Sequence, residues 1–304
     1  MSTHSFIVNP KNEAVLININ GEFFTRNEAK ISVFDSGFLL GDGIWEGIRF
    51  HQSVLIHIEE HLDRLYKSAK GISLHIGFEK EYIINEINKT LTKNNMKDDV
   101  HIRLVVSRGN KITPYQNPNA NVGPINFVII PEYKKADSNT YKNGIKIGRV
   151  KNIRPNNEIL NPQYNTLSKL NCILASIEAN KLGYDEGIMN DMHGFISTCN
   201  STNLFFIKNS EIITSKGEYC LNGITRSKTI KVCKENNIPY YEKNFTFKDV
   251  EDCQEAFVTG TFGGIVPVSI LENKSLHSID KESLTNKIRK LYLKDIENYI
   301  KSKS

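Results

Sequence analysis

Closely spaced cysteines are missing from this sequence. Its 304 residues contain five cysteines, and none of them forms a C-x-x-C pair. An odd number of widely spaced cysteines argues against a disulfide framework. We therefore expect reduced thiols and a location in the cytoplasm. The five are Cys172, Cys199, Cys220, Cys233 and Cys253.

Long hydrophobic runs and a strong charge excess are also absent. No stretch approaches the roughly 18 consecutive apolar residues of a membrane span, and the polar beginning MSTHSFIVNPKNEAVLINING lacks a basic region followed by an apolar run. We therefore expect no signal peptide and no membrane partner. The net charge of +5 is spread along the chain, with a lysine-dense tail, LYLKDIENYIKSKS. Such a tail favours a solvated terminal helix over a nucleic-acid-binding arm.

What is present is the composition of an ordinary globular enzyme, with 39% hydrophobic residues. The length favours two domains. The polar stretch KKADSNTYKNG predicts a linker at residues 134–143, between an N-terminal domain (residues 1–133) and a C-terminal domain (residues 144–304). Strands and helices are predicted on both sides of it, so the fold class is α/β (α+β) with two domains.

Local patterns predict the main elements. A turn at Asn20-Gly21 between apolar runs predicts a hairpin, followed by a strand-like run, KISVFD. Apolar residues at helical spacing from Ile58 to Ala69 predict a helix that ends near Gly71. Further helices are predicted in EKEYIINEINKTLTKN, in NTLSKLNCILASIEAN (165–180), after Gly223 and at the C-terminus. Strands are predicted in VHIRLVVSRG, INFVIIPEY, GIKIGRV, EGIMND, GFISTCNSTNLFFI, EIITS and AFVTGTFGGIVPVSIL.

Two motifs suggest ligands that their context does not support. GDGIWEG (41–47) resembles a dinucleotide fingerprint, but its third glycine comes one position late and Glu46 would repel a pyrophosphate. His57 and His61 have the spacing H-x-x-E-H, which on a helix could chelate zinc. No third ligand is evident, and an amphipathic helix accounts for the segment, so we do not expect a metal site.

Two glycine-containing loops suggest a bound anion. In LNGITR (221–226), Gly223 lets the backbone bend, and Thr225 offers a hydroxyl at the start of a predicted helix, where free N–H groups receive phosphate. The same residues also fit an ordinary helix cap. The glycines of GTFGG (260–264) allow close approach of the backbone to a ligand, or form a simple turn or bulge.

Taken together, seven stretches in the same order resemble class IV aminotransferases, the fold-type IV pyridoxal-phosphate enzymes that include branched-chain amino acid aminotransferases. The resemblance covers nearly the whole chain. It implies a two-domain fold with pyridoxal 5′-phosphate in a cleft between the domains, and usually a homodimer. The stretches are ISVFDSGFLLGDGIWEGIRF, HLDRLYKSAKGI, HIRLVVSRG, LNCILASIEANKLGYDEGIMND, STNLFF, LNGITR and VTGTFGGIVPV.

The resemblance implies partners for the cofactor phosphate. Arg64 matches an arginine that pairs with the phosphate, and a guanidinium suits that anion. Gly223, Ile224 and Thr225 match the phosphate loop. Thr261 matches a residue that receives the phosphate or the carboxylate of the substrate.

The resemblance also implies contacts with the substrate. Phe262 follows Thr261 and would supply a backbone N–H. Trp45 matches a wall of the side-chain pocket, and Arg103 matches an arginine near the substrate in branched-chain enzymes. By their residue types alone, Trp45 also fits a core aromatic and Arg103 a solvent-facing strand residue.

One departure concerns the catalytic lysine of the family, which begins the motif K-x-L-N. Alignment of LNCILASIEAN without gaps places Asn165 where this lysine belongs, and Lys169 where branched-chain enzymes usually have a tyrosine beside the cofactor ring. Sliding SKLN onto the motif would break the stronger match downstream. Asparagine cannot form a Schiff base, so either Lys169 replaces the lysine or the ordinary chemistry is lost.

Helical geometry favours the first alternative. If residues 165–169 form a helical turn, positions 165 and 169 lie about 5–6 Å apart on one face. A desolvated Lys169 amine would be nucleophilic, whereas a solvated lysine at a helix start is disfavoured by the helix dipole. We therefore expect Lys169 to be the Schiff-base lysine, with Tyr164 as a substitute for the lost phenol.

A second departure is Thr198, which stands where the family usually has a glutamate that keeps the pyridine nitrogen protonated. A neutral hydroxyl makes the ring a weaker electron sink. Transamination would proceed more slowly, or chemistry that needs a weaker sink would be favoured.

The expected function is amino-group transfer from a small, branched-chain amino acid to a 2-oxo acid. Two alternatives within the family are an aminodeoxychorismate-lyase-like activity and a D-amino acid aminotransferase. A third alternative, of another class, is a non-catalytic relative that binds the cofactor or a metabolite, because both departures alter groups that would touch the cofactor.

Overall fold

The computed structural model describes residues 8–303. These residues form two compact units. The N-terminal unit consists of residues 8–135 together with Tyr164–Lys169, and the C-terminal unit consists of residues 136–163 and 170–303. The predicted linker contains a short helix. The side chain of Asp137 caps the start of this helix and so favours its formation. We keep the predicted domain bounds as a proposal.

The N-terminal unit contains a six-stranded antiparallel sheet in the order β2-β1-β8-β5-β3-β4. Two short strands, β6 and β7, pair separately. The strands are β1 (Leu16–Ile19), β2 (Glu22–Thr25), β3 (Gly43–His51), β4 (Val54–Leu55), β5 (Val100–Ser107), β6 (Asn110–Lys111), β7 (Asn121–Val122) and β8 (Asn126–Tyr133). The helices are α1 (Ser36–Leu40), α2 (Ile58–Gly71) and α3 (Lys80–Lys93), with 3-10 turns at Pro10–Asn12 and Pro118–Ala120.

The hairpin prediction is confirmed, and the strand predicted at KISVFD is wrong. Asn20 and Gly21 have φ angles of 56° and 91°, as the hairpin turn between β1 and β2 requires. Residues 30–35 form no strand, because the side chain of Asp35 accepts a hydrogen bond from Phe38 N and starts α1 instead. The helix cap therefore determines the conformation of this segment, although its alternating apolar residues favour a strand.

The core of the N-terminal unit lies between α2, α3 and one face of the sheet. The predicted apolar stripe of α2 is buried there, and each such side chain contributes roughly 1.5–3 kcal/mol. Ile44 and Ile48 of β3 face this core. Because side chains alternate along a strand, Trp45 lies on the opposite face.

The C-terminal unit is built on a nine-stranded mixed sheet in the order β11-β10-β9-β16-β15-β12-β13-β14, with β17 paired to β16. The strands are β9 (Ile145–Arg149), β10 (Glu186–Asn190), β11 (Ile196–Cys199), β12 (Asn203–Lys208), β13 (Glu211–Thr214), β14 (Tyr240–Glu242), β15 (Glu255–Gly260), β16 (Gly264–Leu271) and β17 (Lys274–Ser275). The helices are α4 (Ser138–Asn143), α5 (Asn157–Leu160), α6 (Leu170–Lys181), α7 (Ile224–Glu235), α8 (Phe247–Val250) and α9 (Leu284–Lys303).

The helices predicted after Gly223 and at the C-terminus are confirmed as α7 and α9. The single run GFISTCNSTNLFFI forms two strands, β11 and β12, separated by a turn. The fold class is mixed α/β (α+β), as predicted. None of the helices in residues 8–303 is long and apolar enough to cross a membrane.

Candidate active site

Residues 165–167 lie in an extended segment beside β3. Trp45 N donates to Asn165 O at 2.9 Å, and Leu167 N donates to Gly43 O at 2.9 Å. The predicted helical turn over residues 165–169 is therefore wrong, since these backbone groups bond to β3 and α6 begins only at Leu170. In an extended chain, four residues span about 13 Å, so positions 165 and 169 are not neighbours through a helical turn.

Asn165 is fixed at both its backbone and its side chain. Its backbone N donates to Ser68 Oγ at 3.1 Å, and its Nδ2 donates to Trp45 O at 2.7 Å. The residue is 1% exposed. Its Oδ1 is buried and has no hydrogen-bond donor among the residues that the structure describes. Ser68 was not predicted, because nothing in an amphipathic helix marks one serine as a support for a distant loop.

Lys169 and Arg103 both approach the ring of Trp45. Lys169 Nζ lies 5.6 Å from the ring centroid, and Arg103 Cζ lies 3.7 Å from it. Both contacts are cation–π interactions. Burial lowers the pKa of the Arg103 guanidinium, against the opposing effects of the Glu132 and Glu46 carboxylates. The structure thus brings together three residues that the sequence singled out separately.

Tyr164 packs against the end of α2. A Cβ atom added to Gly71 would lie 2.2 Å from Tyr164 Cζ, so the glycine leaves the space that the ring occupies. Gly71 is itself the last residue of α2, close to the predicted helix end. The use of Tyr164 as a cofactor contact stays a proposal.

Arg64 is oriented by the carboxylate of Glu46, a partner that was not predicted from the sequence. Its Nε donates to Glu46 Oε1 at 2.8 Å and its Nη2 donates to Glu46 Oε2 at 2.7 Å. His61 Nδ1 lies 2.7 Å from Glu46 Oε2. Burial raises the pKa of Glu46, but the Arg64 and His61 contacts outweigh it and hold the pKa below its usual value. The guanidinium is therefore held in one orientation, and its contact with phosphate stays a proposal.

The histidine pair of the zinc-like motif is arranged differently from a helical chelate. His57 precedes α2 in the left-handed conformation, and His61 contacts Glu46. Within residues 8–303, the side-chain group with metal-like spacing consists of His51, Asp98 and Asp99. That group contains neither histidine of the motif.

The loop before α7 fits a phosphate group. Gly223 is the N-cap residue of α7, and no side chain caps the helix, so first-turn N–H groups are left for an anion. A Cβ atom at Gly223 would lie 2.2 Å from Asn203 Oδ1, so a side chain there would clash. Asn203 Nδ2 holds the loop by donating to Leu221 O at 2.9 Å. Ile224 and Thr225 follow in the first turn, and both are buried.

The second predicted loop lies near the first in the sheet. Thr261 and Phe262 form the turn between β15 and β16, and Tyr141 Oη fixes this turn by donating to Gly263 O at 2.7 Å. Thr259 of β15 pairs with Asn203 of β12, the residue that holds the phosphate loop. The structure therefore places both predicted loops at the same strand ends within the C-terminal unit.

Thr198 belongs to a buried polar chain of three residues. Its Oγ1 donates to Thr202 O at 2.6 Å, and Thr202 Oγ1 donates to Glu186 Oε2 at 2.6 Å. All three residues are buried. Thr202 and Glu186 were not predicted, although an acid inside an apolar strand run (EGIMND) was a signal that could have identified Glu186.

The family model described as Amino-transferase class IV matches residues 43–271, which is most of the chain. The chain therefore belongs to the class IV aminotransferases. This family uses pyridoxal 5′-phosphate. The uncapped start of α7 and the glycine beside Asn203 fit the phosphate of that cofactor.

Similar proteins carry names of two kinds. A Methanocaldococcus jannaschii protein named "Putative branched-chain-amino-acid aminotransferase" is 36% identical over 92% of this chain and 96% of its own length. Branched-chain-amino-acid aminotransferase-like protein 2 of Arabidopsis thaliana is 34% identical over 94% of this chain, which spans about half (51%) of that protein. A D-alanine aminotransferase of Staphylococcus haemolyticus is 29% identical over 92% of this chain and 97% of its own length.

The fold is that of solved branched-chain aminotransferases. The enzyme of the thermophilic archaeon Thermoproteus uzoniensis, solved with norvaline, is 25% identical and superposes with a TM-score of 0.82. The match covers 93% of this chain and 94% of that chain. The likeness therefore spans both units of the present chain.

Proposed function

We propose that this chain is a pyridoxal-phosphate-dependent aminotransferase that transfers an amino group between a branched-chain amino acid and a 2-oxo acid. The attachment amine in this proposal is that of Lys169. The observation that carries it is the Lys169 amine at the ring of Trp45, the residue whose backbone oxygen accepts from Asn165 Nδ2. By the resemblance, Asn165 occupies the position of the family lysine. The branched-chain names of two relatives support the substrate class.

The proposed mechanism assigns a task to each group. When bound, the cofactor supplies an electron sink for the α-carbon of the substrate. The first turn of α7 would hold the phosphate, and the resemblance implies Arg64 as a further partner of it. Arg103 pairs with a substrate carboxylate, and its stacking on Trp45 fixes the direction of approach. Lys169 Nζ removes the α-proton and returns it as general base and acid.

Thr198 sets the strength of the sink in this proposal. Its hydroxyl donates to Thr202 O, and by the resemblance it stands where the family usually has a carboxylate. A neutral hydroxyl does not hold a proton on the pyridine nitrogen as a carboxylate does. We therefore expect slower transamination than in relatives that carry the glutamate.

Reductive labelling tests the attachment amine directly. We expect borohydride treatment of the cofactor-loaded protein, followed by peptide mapping, to place the label on Lys169. Lys181→Ala is the matched control, because Lys181 is an exposed lysine at the other end of α6. A protein that binds the cofactor but carries no label on Lys169 would contradict this part of the proposal.

A donor panel separates the alternatives within the family. The D-alanine aminotransferase relative motivates a D-amino acid substrate, so L- and D-forms of leucine and alanine are compared with 2-oxoglutarate as acceptor. Turnover that needs no 2-oxo acid would indicate the lyase alternative. Cofactor binding without turnover of any donor would indicate the non-catalytic alternative.

We also propose a homodimer, which the resemblance implies. Helix α6 presents an apolar stripe at helical spacing, and its side chains are 45–67% exposed. An exposed apolar stripe of this kind is typical of an interaction surface. The stripe consists of Leu170, Ile173, Leu174 and Ile177.

Sedimentation velocity tests the dimer. We expect a dimer for the wild-type chain and a shift to monomer for the double variant Ile173→Asp, Leu174→Lys. Lys181→Ala is again the control on the same helix. A wild-type monomer would contradict the homodimer, and a dimeric double variant would show that α6 is not its interface.

The cytoplasm is the proposed location. All five cysteines lie outside disulfides in the structure, and four of them are buried. Free thiols fit a reducing compartment. Disulfides found in protein isolated under thiol-blocking conditions would contradict this location.

A further inference from the structure

The carbonyl oxygen of the Asn165 side chain is an acceptor that the described residues do not satisfy. Asn165 is 1% exposed, and its Oδ1 has no donor within residues 8–303. A buried acceptor without a donor is unfavourable, and in native proteins such atoms usually contact water or a ligand. This oxygen therefore indicates a missing donor.

The orientation of the amide is set by its other end. Asn165 Nδ2 donates to Trp45 O at 2.7 Å. Flipping the amide would place Oδ1 against Trp45 O, which is also an acceptor. Two further hydrogen bonds fix the backbone, one to Ser68 Oγ and one from Trp45 N. Oδ1 therefore keeps its position, so its hydrogen-bond donor has to be supplied by a bound molecule.

Position 165 presents a hydrogen-bond acceptor in this chain, whereas the family presents an amine there. A lysine there would present an amine, whereas Asn165 presents a fixed carbonyl oxygen. The cofactor of the family has two forms. The aldehyde form carries an oxygen acceptor at its reactive carbon, whereas the amine form, pyridoxamine 5′-phosphate, carries N–H donors.

We propose that Asn165 Oδ1 accepts a hydrogen bond from the amino group of pyridoxamine 5′-phosphate, so that this chain binds the amine form in preference to the aldehyde form. Two facing acceptors disfavour the aldehyde form, and a donor facing an acceptor favours the amine form. The inference rests on the cofactor site of the proposed function, but not on the role of Lys169.

The sequence supplies a built-in probe for the test. Trp45 is the single tryptophan of the chain, and its backbone oxygen is the partner of Asn165 Nδ2. Quenching of tryptophan fluorescence therefore reports binding at this site alone. Titrations with pyridoxamine 5′-phosphate and with pyridoxal 5′-phosphate are made in a Lys169→Ala background, where Lys169 cannot capture the aldehyde. The measured quantity is the ratio of the two dissociation constants.

Two variants at residue 165 isolate the oxygen. Asn165→Leu and Asn165→Asp both lose the Nδ2 bond to Trp45 O, but only Asn165→Asp keeps an acceptor. We expect Asn165→Leu to reduce the preference for the amine form by about tenfold, the effect of one hydrogen bond to a charged group. We expect Asn165→Asp to keep or increase the preference. Thermal melting of each variant confirms that it is folded.

The outcomes separate this inference from the proposed function. An equal ratio in the parent and in Asn165→Leu, or no preference in the parent, would overturn the inference and leave the labelling of Lys169 unaffected. An equal reduction of the ratio in both variants would also overturn it, since the Nδ2 bond would then be the cause. If neither cofactor form quenched Trp45 fluorescence and neither bound in dialysis, both proposals would be overturned.

Discussion

The Glu46→Gln variant should lose about 3–5 kcal/mol of unfolding free energy, the usual cost of removing one partner from a buried ion pair. Glu46 is fully buried and bonds to two nitrogens of Arg64 and to Nδ1 of His61. Glutamine keeps the size of the side chain but not its charge, so the largely buried Arg64 guanidinium would lose its ionic contact with Glu46. The fluorescence of Trp45, next in the chain, reports unfolding of the N-terminal unit in urea.

Asp63→Asn is the matched control for this prediction. Asp63 lies on α2 next to Arg64, the partner of Glu46, and its ion pair with Lys80 is largely exposed. Such pairs contribute about 0–1 kcal/mol. Equal losses in the two variants would contradict the assignment of Glu46 as a buried electrostatic centre.

The pH dependence of Glu46→Gln has a definite sign. The contacts with Arg64 and His61 hold the pKa of Glu46 below its ordinary value of 4.5, despite burial. A group with a lowered pKa in the folded state stabilises above its unfolded pKa, and this contribution is lost as the pH falls through the folded pKa. The stability difference between wild type and variant should therefore be constant at neutral pH and shrink below about pH 4.5. A difference that grows on acidification would contradict it.

The Lys169→Ala variant is expected to lower kcat for transamination by about 10²–10⁴-fold, the usual contribution of a positioned general base. The amine also forms a cation–π contact with Trp45. The variant is therefore expected to change KM as well, but less than it changes kcat. Addition of a small primary amine should restore part of the rate, because it replaces the lost base.

Lys181→Ala is the control for this prediction as well. It should keep the wild-type rate, because Lys181 is exposed at the C-terminal end of α6. A Lys169→Ala enzyme with the wild-type kcat would show that this amine does not move the proton. In that case another group would have to act as general base, and the role proposed for Lys169 would be wrong.

The local elements were predictable because their signals lie within a few residues. The apolar stripe of α2 repeats at helical spacing over a single stretch, and Asn20-Gly21 fits a turn with two positive φ angles. Gly223 before the segment ITRSKTIKVCKENN was likewise enough to predict the start of α7. The motifs also identified the residues of the two loops, Thr225 and Thr261 among them.

The conformation of residues 165–169 was not predictable in the same way. The stretch leads directly into α6, so the predicted helix began about one turn too early, at residue 165 instead of Leu170. Its backbone bonds instead to Gly43 and Trp45, about 120 residues away in the chain. Pairing across such a separation depends on the tertiary structure, which overrides local preference.

The sequence by itself determined the family and most of the elements, because residue identity and short-range periodicity carry that information. It also led to the proposal that Asn165 and Thr198 replace residues of the family site. Only the tertiary structure decided which groups meet. It placed the Lys169 amine and the Arg103 guanidinium on one Trp45 ring, and it buried Glu46 against Arg64. It also fixed the Asn165 amide with its oxygen unsatisfied. These contacts join residues from separate strands and loops, and burial and hydrogen bonding between them arise only when the chain has folded.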